Sequence, residues 1–304
     1  MRILLWHVHG AWTTAFVHGR HEYVVPVLPD RGPDGLGIAK TYAWPDTVTE
    51  LPLEEIGDVD VVLLQRPHEL DLAREWLDRS VPAVYVEHNA PQGRINEMRH
   101  PMADRDDLTL VHVTHFNALF WDAGATPVEV IEHGIVDPGP RYTGELPRAA
   151  AVINEAQRRG RVTGTDLLER FRAAAPVDLF GIGAVDLPHA ELHDAMAQRR
   201  AYVHPIRWTS LGLSLLEAMH LAMPVVVLGT TEAFEAVPRE AGAVSTRIDV
   251  LEDALRRLIA DSDEARERGA AARAAALKRY GLDRFLGDWD QLLARVTSRL
   301  EVAS

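Results

Sequence analysis

The residues best suited to chemistry crowd into one window, HPIRWTSLGLSLLEAMHLAMPVVVLG, His204–Gly229. A loop with His204, Arg207, Thr209 and Ser210 runs into Leu211, Gly212 and Leu213, where a helical pattern opens, and Glu217 follows about one turn later. The first amides of a helix lack intrahelical partners and its dipole favours negative charge, so this start suits a phosphate. Gly212 admits close backbone approach. A carboxylate at Glu217 can accept hydrogen bonds from a ribose diol.

Other candidates flank this window. VINEAQRRGRVTGTDLLERF (Val152–Phe171) holds Asn154 and three arginines, Arg158, Arg159 and Arg161, whose guanidinium groups match phosphate oxygens bidentately. His88 ends the apolar run of AVYVEHNAP and is followed by Asn89. WHVHGAWTTAF (Trp6–Phe16) offers His9, Gly10, Trp12 and Thr13. Imidazoles can donate to hydroxyls, and aromatic faces suit sugars. His133 lies in VIEHGIVDP, and Glu232 in TTEAFEAVP. His112 and His115 resemble a metal pair, but strand residues three apart point to opposite faces and no third ligand is evident, so no metal site is expected.

Short apolar runs alternate with helical patterns, which predicts parallel sheets of βαβ units. Strands are expected at Ile3–Val8, Tyr23–Leu28, Val59–Gln65, Ala83–His88, Leu108–Thr114 and Val128–Glu132, with a helix at Leu70–Leu77. His133–Pro147 reads as a Pro/Gly-rich linker. The pattern restarts with strands at Ala149–Ile153, Val177–Gly183, Ala201–Val203 and Pro224–Gly229. Helices are expected at Thr165–Ala174, Leu192–Gln198, Leu213–Leu221, around Leu251–Ile259, Glu264–Tyr280 and Asp283–Leu300. The expected organisation is α/β, with Rossmann-like domains at 1–140 and 141–282 and a terminal helix, 283–304, packing back on the first. Open parallel sheets bind ligands beyond the carboxyl ends of their strands. Two such sheets facing each other would make a cleft.

Composition narrows the partners. The 304 residues suit two domains, and 47% hydrophobic and 25% charged residues are ordinary for a globular protein. With no cysteine, thiolate nucleophiles, disulfides and Cys-ligated zinc are excluded. A net charge of −13 argues against nucleic acid and anionic lipid as partners. No secretory signal or membrane-length apolar run is visible, which gives a cytoplasmic expectation with no stable membrane insertion.

The His204–Gly229 window resembles the donor-binding signature of retaining glycosyltransferases of the two-Rossmann-domain (GT-B) type, especially family four, the glycosyl transferases group 1. Gly212, Leu213, Glu217, Ala218, Met219, Pro224, Val225 and Val226 fall in register. The resemblance implies transfer of a sugar from a nucleoside diphosphate sugar to an acceptor hydroxyl with retention, without metal or cofactor. It implies that Glu217 anchors the ribose, and that Gly10, Asn154, Arg158, Thr209–Leu213 and Glu232 line the donor. Arg159 and Arg161 would stand in for the family's Arg/Lys pair on the leaving diphosphate. His88 would serve near the reacting sugar, and His9, Trp12, Thr13, Asn89 and His133 near the acceptor. The sequence departs from the pattern at Thr209, where the family has its first Glu, and at Thr163, where it has Lys. Arg207 or His204 would compensate for the first change, or serve only the loop. A nucleotide-sugar epimerase of the same fold, or a non-catalytic nucleotide- or sugar-binding protein, fits the same motifs.

Overall fold

The computed structural model describes residues 1–38, 41–77 and 79–303, with side chains through residue 298. Two compact units emerge, Met1–Gly134 with Leu282–Ser304, and Ile135–Gly281. The first runs β1 (Arg2–Leu5), α1 (Gly10–Phe16), β2 (Glu22–Pro26), β3 (Val48–Leu51), β4 (Val61–Leu64), α2 (Glu69–Trp76), β5 (Ala83–Glu87), β6 (Leu108–His112), α3 (His115–Phe120) and β7 (Val128–Val130). The second runs β8 (Leu146–Val152), α4 (Ala156–Arg159), α5 (Leu168–Ala174), β9 (Val177–Phe180), α6 (His189–Gln198) and β10 (Arg199–His204). It continues with α7 (Leu213–His220), β11 (Val225–Leu228), α8 (Ala233–Ala236), β12 (Gly242–Ser245), α9 (Ile248–Ala260) and α10 (Ser262–Tyr280). A last helix, α11 (Leu282–Ala303), returns to the first unit.

Both sheets are parallel. The first has the order β3-β2-β1-β4-β5-β6-β7, and the second β12-β11-β10-β8-β9. The direction of strand addition reverses between β1 and β4 in one and between β8 and β10 in the other, the places where open α/β sheets take ligands. The central strands are apolar throughout because helices cover both faces: Val61–Leu64 and Val225–Leu228 are buried at every position.

Two strands escape the apolar-run pattern. β3, VTEL, and β12, GAVS, are sheet edges with one row of neighbours, so neither needs an apolar run. The supposed linker is also more ordered than its composition suggests. Ile135 N–H donates to the Tyr280 carbonyl at 3.0 Å and Tyr142 N–H to that of Leu221 at 3.0 Å, and Leu146 already belongs to β8. α6 starts at His189, behind Pro188, three positions before the first periodic leucine.

The first core is aromatic where α1 meets α11. Trp12 stacks on Phe16 at 5.2 Å and meets Trp289 edge-on at 5.7 Å. Side chains of this size, buried, each contribute about 1.5–3 kcal/mol. In the second unit α10 packs so close to the turn after α7 that a Cβ at Gly269 would stand 2.0 Å from the Ala222 carbonyl oxygen. That approach outweighs the roughly 1 kcal/mol that a mid-helix glycine costs.

Candidate functional site

The second unit gathers its candidates beyond β8 and β10, at the reversal point. The loops after these strands are sealed together: the N–H groups of Arg207 and Trp208 both donate to the Val162 carbonyl, at 2.9 and 3.1 Å. Thr163, at the position of the family's lysine, is fully buried, and its hydroxyl donates to the Gly160 carbonyl at 3.2 Å. Its role is to hold the loop.

The arginines separate by partner. Arg158 is ion-paired with Glu155, and Arg161 lies 3.1 Å from Asp166. Asp166 also holds both terminal nitrogens of Arg207, at 2.5 and 2.9 Å. Carboxylates three and five residues away therefore pair with Arg158 and Arg161, and Arg207 is tied to the loop. Arg159, half-buried at the end of α4, makes no ion pair among the described residues. Asn154 accepts from the Ile182 N–H at 3.0 Å, which fixes its side chain at the end of β8.

Beyond β10, Thr209 is half-buried, Ser210 and Leu211 are buried, and Leu213 opens α7 behind Gly212, which has no side chain to cap the helix. Gly212 has ordinary extended backbone angles, φ −74° and ψ 122°. Its smallness is needed for another reason, since a Cβ there would stand 2.4 Å from Cε1 of His204. Burial holds the His204 imidazole down to about 4. Thr230, after β11, donates to the Ile206 carbonyl at 2.8 Å and braces the same loop.

Glu217 is 6% exposed. Its Oε1 lies 3.0 Å from Nε2 of His189 and its Oε2 lies 3.6 Å from Nε2 of His193, an ion-pair distance too long for a hydrogen bond. Burial opposes its ionisation, but His189 and then His193 hold the carboxyl at about 2. The hydrogen bond to Glu217, against the opposing effect of burial and with help from its charge, raises His189. Glu232 does not open onto this loop as a free carboxylate. It is 2% exposed, with Arg279 of α10 at 3.4 Å.

The first unit places its candidates beyond β1, β4 and β5. His9 and His88 stack at 3.9 Å, and His9 Nδ1 meets the Gln65 side chain at 3.2 Å. Gln65 in turn donates to the Trp6 carbonyl at 2.9 Å, so the ends of β1 and β4 are tied together. A Cβ on Gly10 would meet the Tyr42 ring at 2.5 Å. His133 is 3% exposed, and Arg284 of α11 donates to the His133 carbonyl at 2.5 Å. Burial, then the Arg284 and His9 charges, hold the His133 imidazole near 3. Burial likewise keeps His88 well below its usual value, with His9 and His133 adding to the effect.

Trp12 and Thr13 need correction as exposed acceptor contacts. They are 1% and 0% exposed, because α1 turns this face onto α11. Asn89 is exposed, with its backbone held by the Glu87 carboxylate at 2.6 Å. His88 Nε2, both ring nitrogens of His133, Trp12 Nε1 and Thr13 Oγ1 are buried without a hydrogen-bond partner.

Gln65, Glu87 and Arg284 were not singled out from the sequence, nor were His189 and His193. The two histidines carried a readable signal, their i, i+4 spacing in HAELH, but the pairing with Glu217 joins two helices and only the fold reveals it.

Residues 145–261 match the family model Glycosyl transferases group 1. No curated protein matches the chain in sequence. Among solved structures, sucrose-phosphate synthase from Thermosynechococcus elongatus is similar at 13% identity and a TM-score of 0.70, covering 100% of each chain. Anabaena HepE in complex with UDP gives 13% identity and a TM-score of 0.69, covering 97% of this chain and 100% of HepE. A mutant of S. aureus TarM, crystallised with Fondaparinux, alpha-GlcNAc-glycerol and UDP, gives 14% identity and a TM-score of 0.63 over 77% of this chain. The chain spans 55% of TarM's length. It thus has the two-domain GT-B glycosyltransferase fold, and its residues 145–261 match the family model Glycosyl transferases group 1.

Proposed function

We propose that this chain is a retaining glycosyltransferase of hexosyl-transfer type, moving a sugar from a nucleoside diphosphate sugar to an acceptor hydroxyl. The reading is carried by Glu217, a buried, ionised carboxylate one turn inside the helix that follows β10. In this role it accepts hydrogen bonds from the ribose diol while the first amides of α7 face the diphosphate. HepE and TarM, similar in fold, were both solved with UDP, which supports a nucleoside diphosphate as the ligand.

In the proposed reaction the bond between the sugar's anomeric carbon and the diphosphate oxygen breaks. The acceptor oxygen bonds to that carbon from the same face, and its proton passes to the departing phosphate. Arg159 and the α7 amides meet the charge that develops on the leaving group, so the transfer itself calls on no metal or other cofactor. His88 and His133, kept neutral by burial, donate to or accept from sugar and acceptor hydroxyls without adding charge. Among the described residues no helix is long and apolar enough to cross a membrane. We place the activity in the cytoplasm, where nucleotide sugars are at hand, with no nucleic acid as partner.

The test is a thermal-shift screen with UDP-, GDP-, ADP- and dTDP-sugars, followed by turnover with and without acceptors. A donor at 100 times its Kd stabilises the folded chain by about 2.7 kcal/mol. The proposal expects one nucleotide class to raise Tm and product to form only with an acceptor. No shift with any of the four would sink it, and acceptor-independent conversion would favour an epimerase.

A further inference from the structure

His189 and His193 stand one turn apart on α6, so their imidazoles leave the same face of the helix. Their rings lie 4.2 Å apart and point Nε2 at different oxygens of one carboxylate, Glu217 on α7. His193 is 4% exposed, and its Nε2 has no hydrogen-bond partner. The three ligand atoms all fall within 4.8 Å of one another.

We propose that His189, His193 and Glu217 form a binding site for a divalent transition-metal ion of the zinc class, with water as the fourth ligand. Tetrahedral zinc has bonds of about 2.0–2.1 Å, which set neighbouring ligand atoms about 3.3–3.4 Å apart. The observed 3.0 and 3.6 Å, each to a different oxygen of Glu217, lie on either side of that spacing, and with all three ligand atoms inside 4.8 Å the side chains have only to draw together around the ion. Two imidazoles and one carboxylate select zinc, cobalt, nickel or copper over magnesium or calcium, which prefer all-oxygen shells. The ion would satisfy the orphaned His193 nitrogen, and the His189 side chain, 35% exposed, gives it a way in.

A further consequence rests on the reading of Glu217 as the ribose anchor, although the metal site does not. A carboxylate held by a metal has fewer lone pairs for a diol, so ion and nucleotide oppose each other. Metal here would restrain the transferase.

The test uses the full chain, stripped with a chelator and titrated with cobalt(II) chloride, whose four-coordinate complexes have strong visible bands. Wild type is expected to take up one equivalent with such bands, and zinc should displace it. His193→Ala and His189→Gln should each weaken uptake by at least roughly tenfold, with folding checked by thermal unfolding. The half-exposed His189→Gln variant keeps the test decisive if His193→Ala does not fold. Absence of four-coordinate bands in wild type, or equal bands in the folded variants, overturns the site. UDP titrations of the stripped and cobalt-loaded chain separate the two readings. Weaker UDP binding to the loaded form supports the opposition. Equal binding with the metal bound overturns the ribose role of Glu217 and leaves the metal site standing.

Discussion

A Cβ on Gly212 would stand 2.4 Å from Cε1 and 3.0 Å from Nε2 of His204, so the last residue of β10 lies directly under the start of α7. Gly212 has angles that any residue can adopt, so the cost of a side chain there is steric. Gly212→Ala is expected to lose about 1–3 kcal/mol of stability, the usual cost of overpacking. His204→Ala should restore part of that loss in the double variant. Urea unfolding of the four-member cycle measures the coupling, and strictly additive changes would show that the His204 contact is not what excludes a side chain.

Glu217→Gln keeps the shape of the side chain and removes its charge. Hydrogen bonds to a charged group are worth about 1.5–3 kcal/mol, so UDP binding by titration calorimetry should weaken roughly 10- to 150-fold. An unchanged Kd would show that the ribose is held elsewhere.

The arginines make a comparative prediction. Arg158 is paired with Glu155 and Arg161 with Asp166, whereas Arg159 makes no ion pair among the described residues. Arg159→Ala should therefore reduce kcat by about 100- to 1000-fold, in the range of a lost transition-state contact. Arg158→Ala should change it little. Arg161→Ala should fall between, because it frees Asp166 to hold Arg207 alone. The reverse ranking would move the phosphate contact to the other end of this loop.

The sequence was most informative where burial is two-sided. Val61–Leu64 and Val225–Leu228 could be read directly, because a strand covered on both faces must be apolar at every position. Edge strands β3 and β12 lack that constraint and were missed. Glu217 was legible from its place in a recognisable strand–loop–helix pattern, while its two imidazole partners were not. Those contacts join residues 28 and 24 positions apart, through a helix whose first turn carries no apolar periodicity. Trp12 misled for the opposite reason. An aromatic after a first strand looks like a sugar platform, and only the return of α11 shows that it is covered by Phe285 and Trp289.

The first unit's buried histidines should make the protein sensitive to acid well above the range of carboxylate titration. Burial holds His112 near 4 and His133 near 3, and pushes His88 well below 6.5. In the unfolded chain each would titrate near 6.5. Between about pH 6.5 and 4 the unfolded state therefore binds protons that the folded state refuses, so stability falls as pH falls through this window. Each withheld proton costs up to about 1.4 kcal/mol per pH unit. Above about pH 7 both states leave these rings neutral, and the contribution is fully present and flat. Urea unfolding of the first unit's tryptophan signal at pH 7.5, 6.0 and 5.0 should show the decline. His112, fully buried with neither ring nitrogen hydrogen-bonded, is the cleanest probe. His112→Leu should flatten the slope between pH 6.0 and 5.0 even if it shifts stability at pH 7.5. An unaltered slope would mean that the His112 ring accepts its proton without opening the fold.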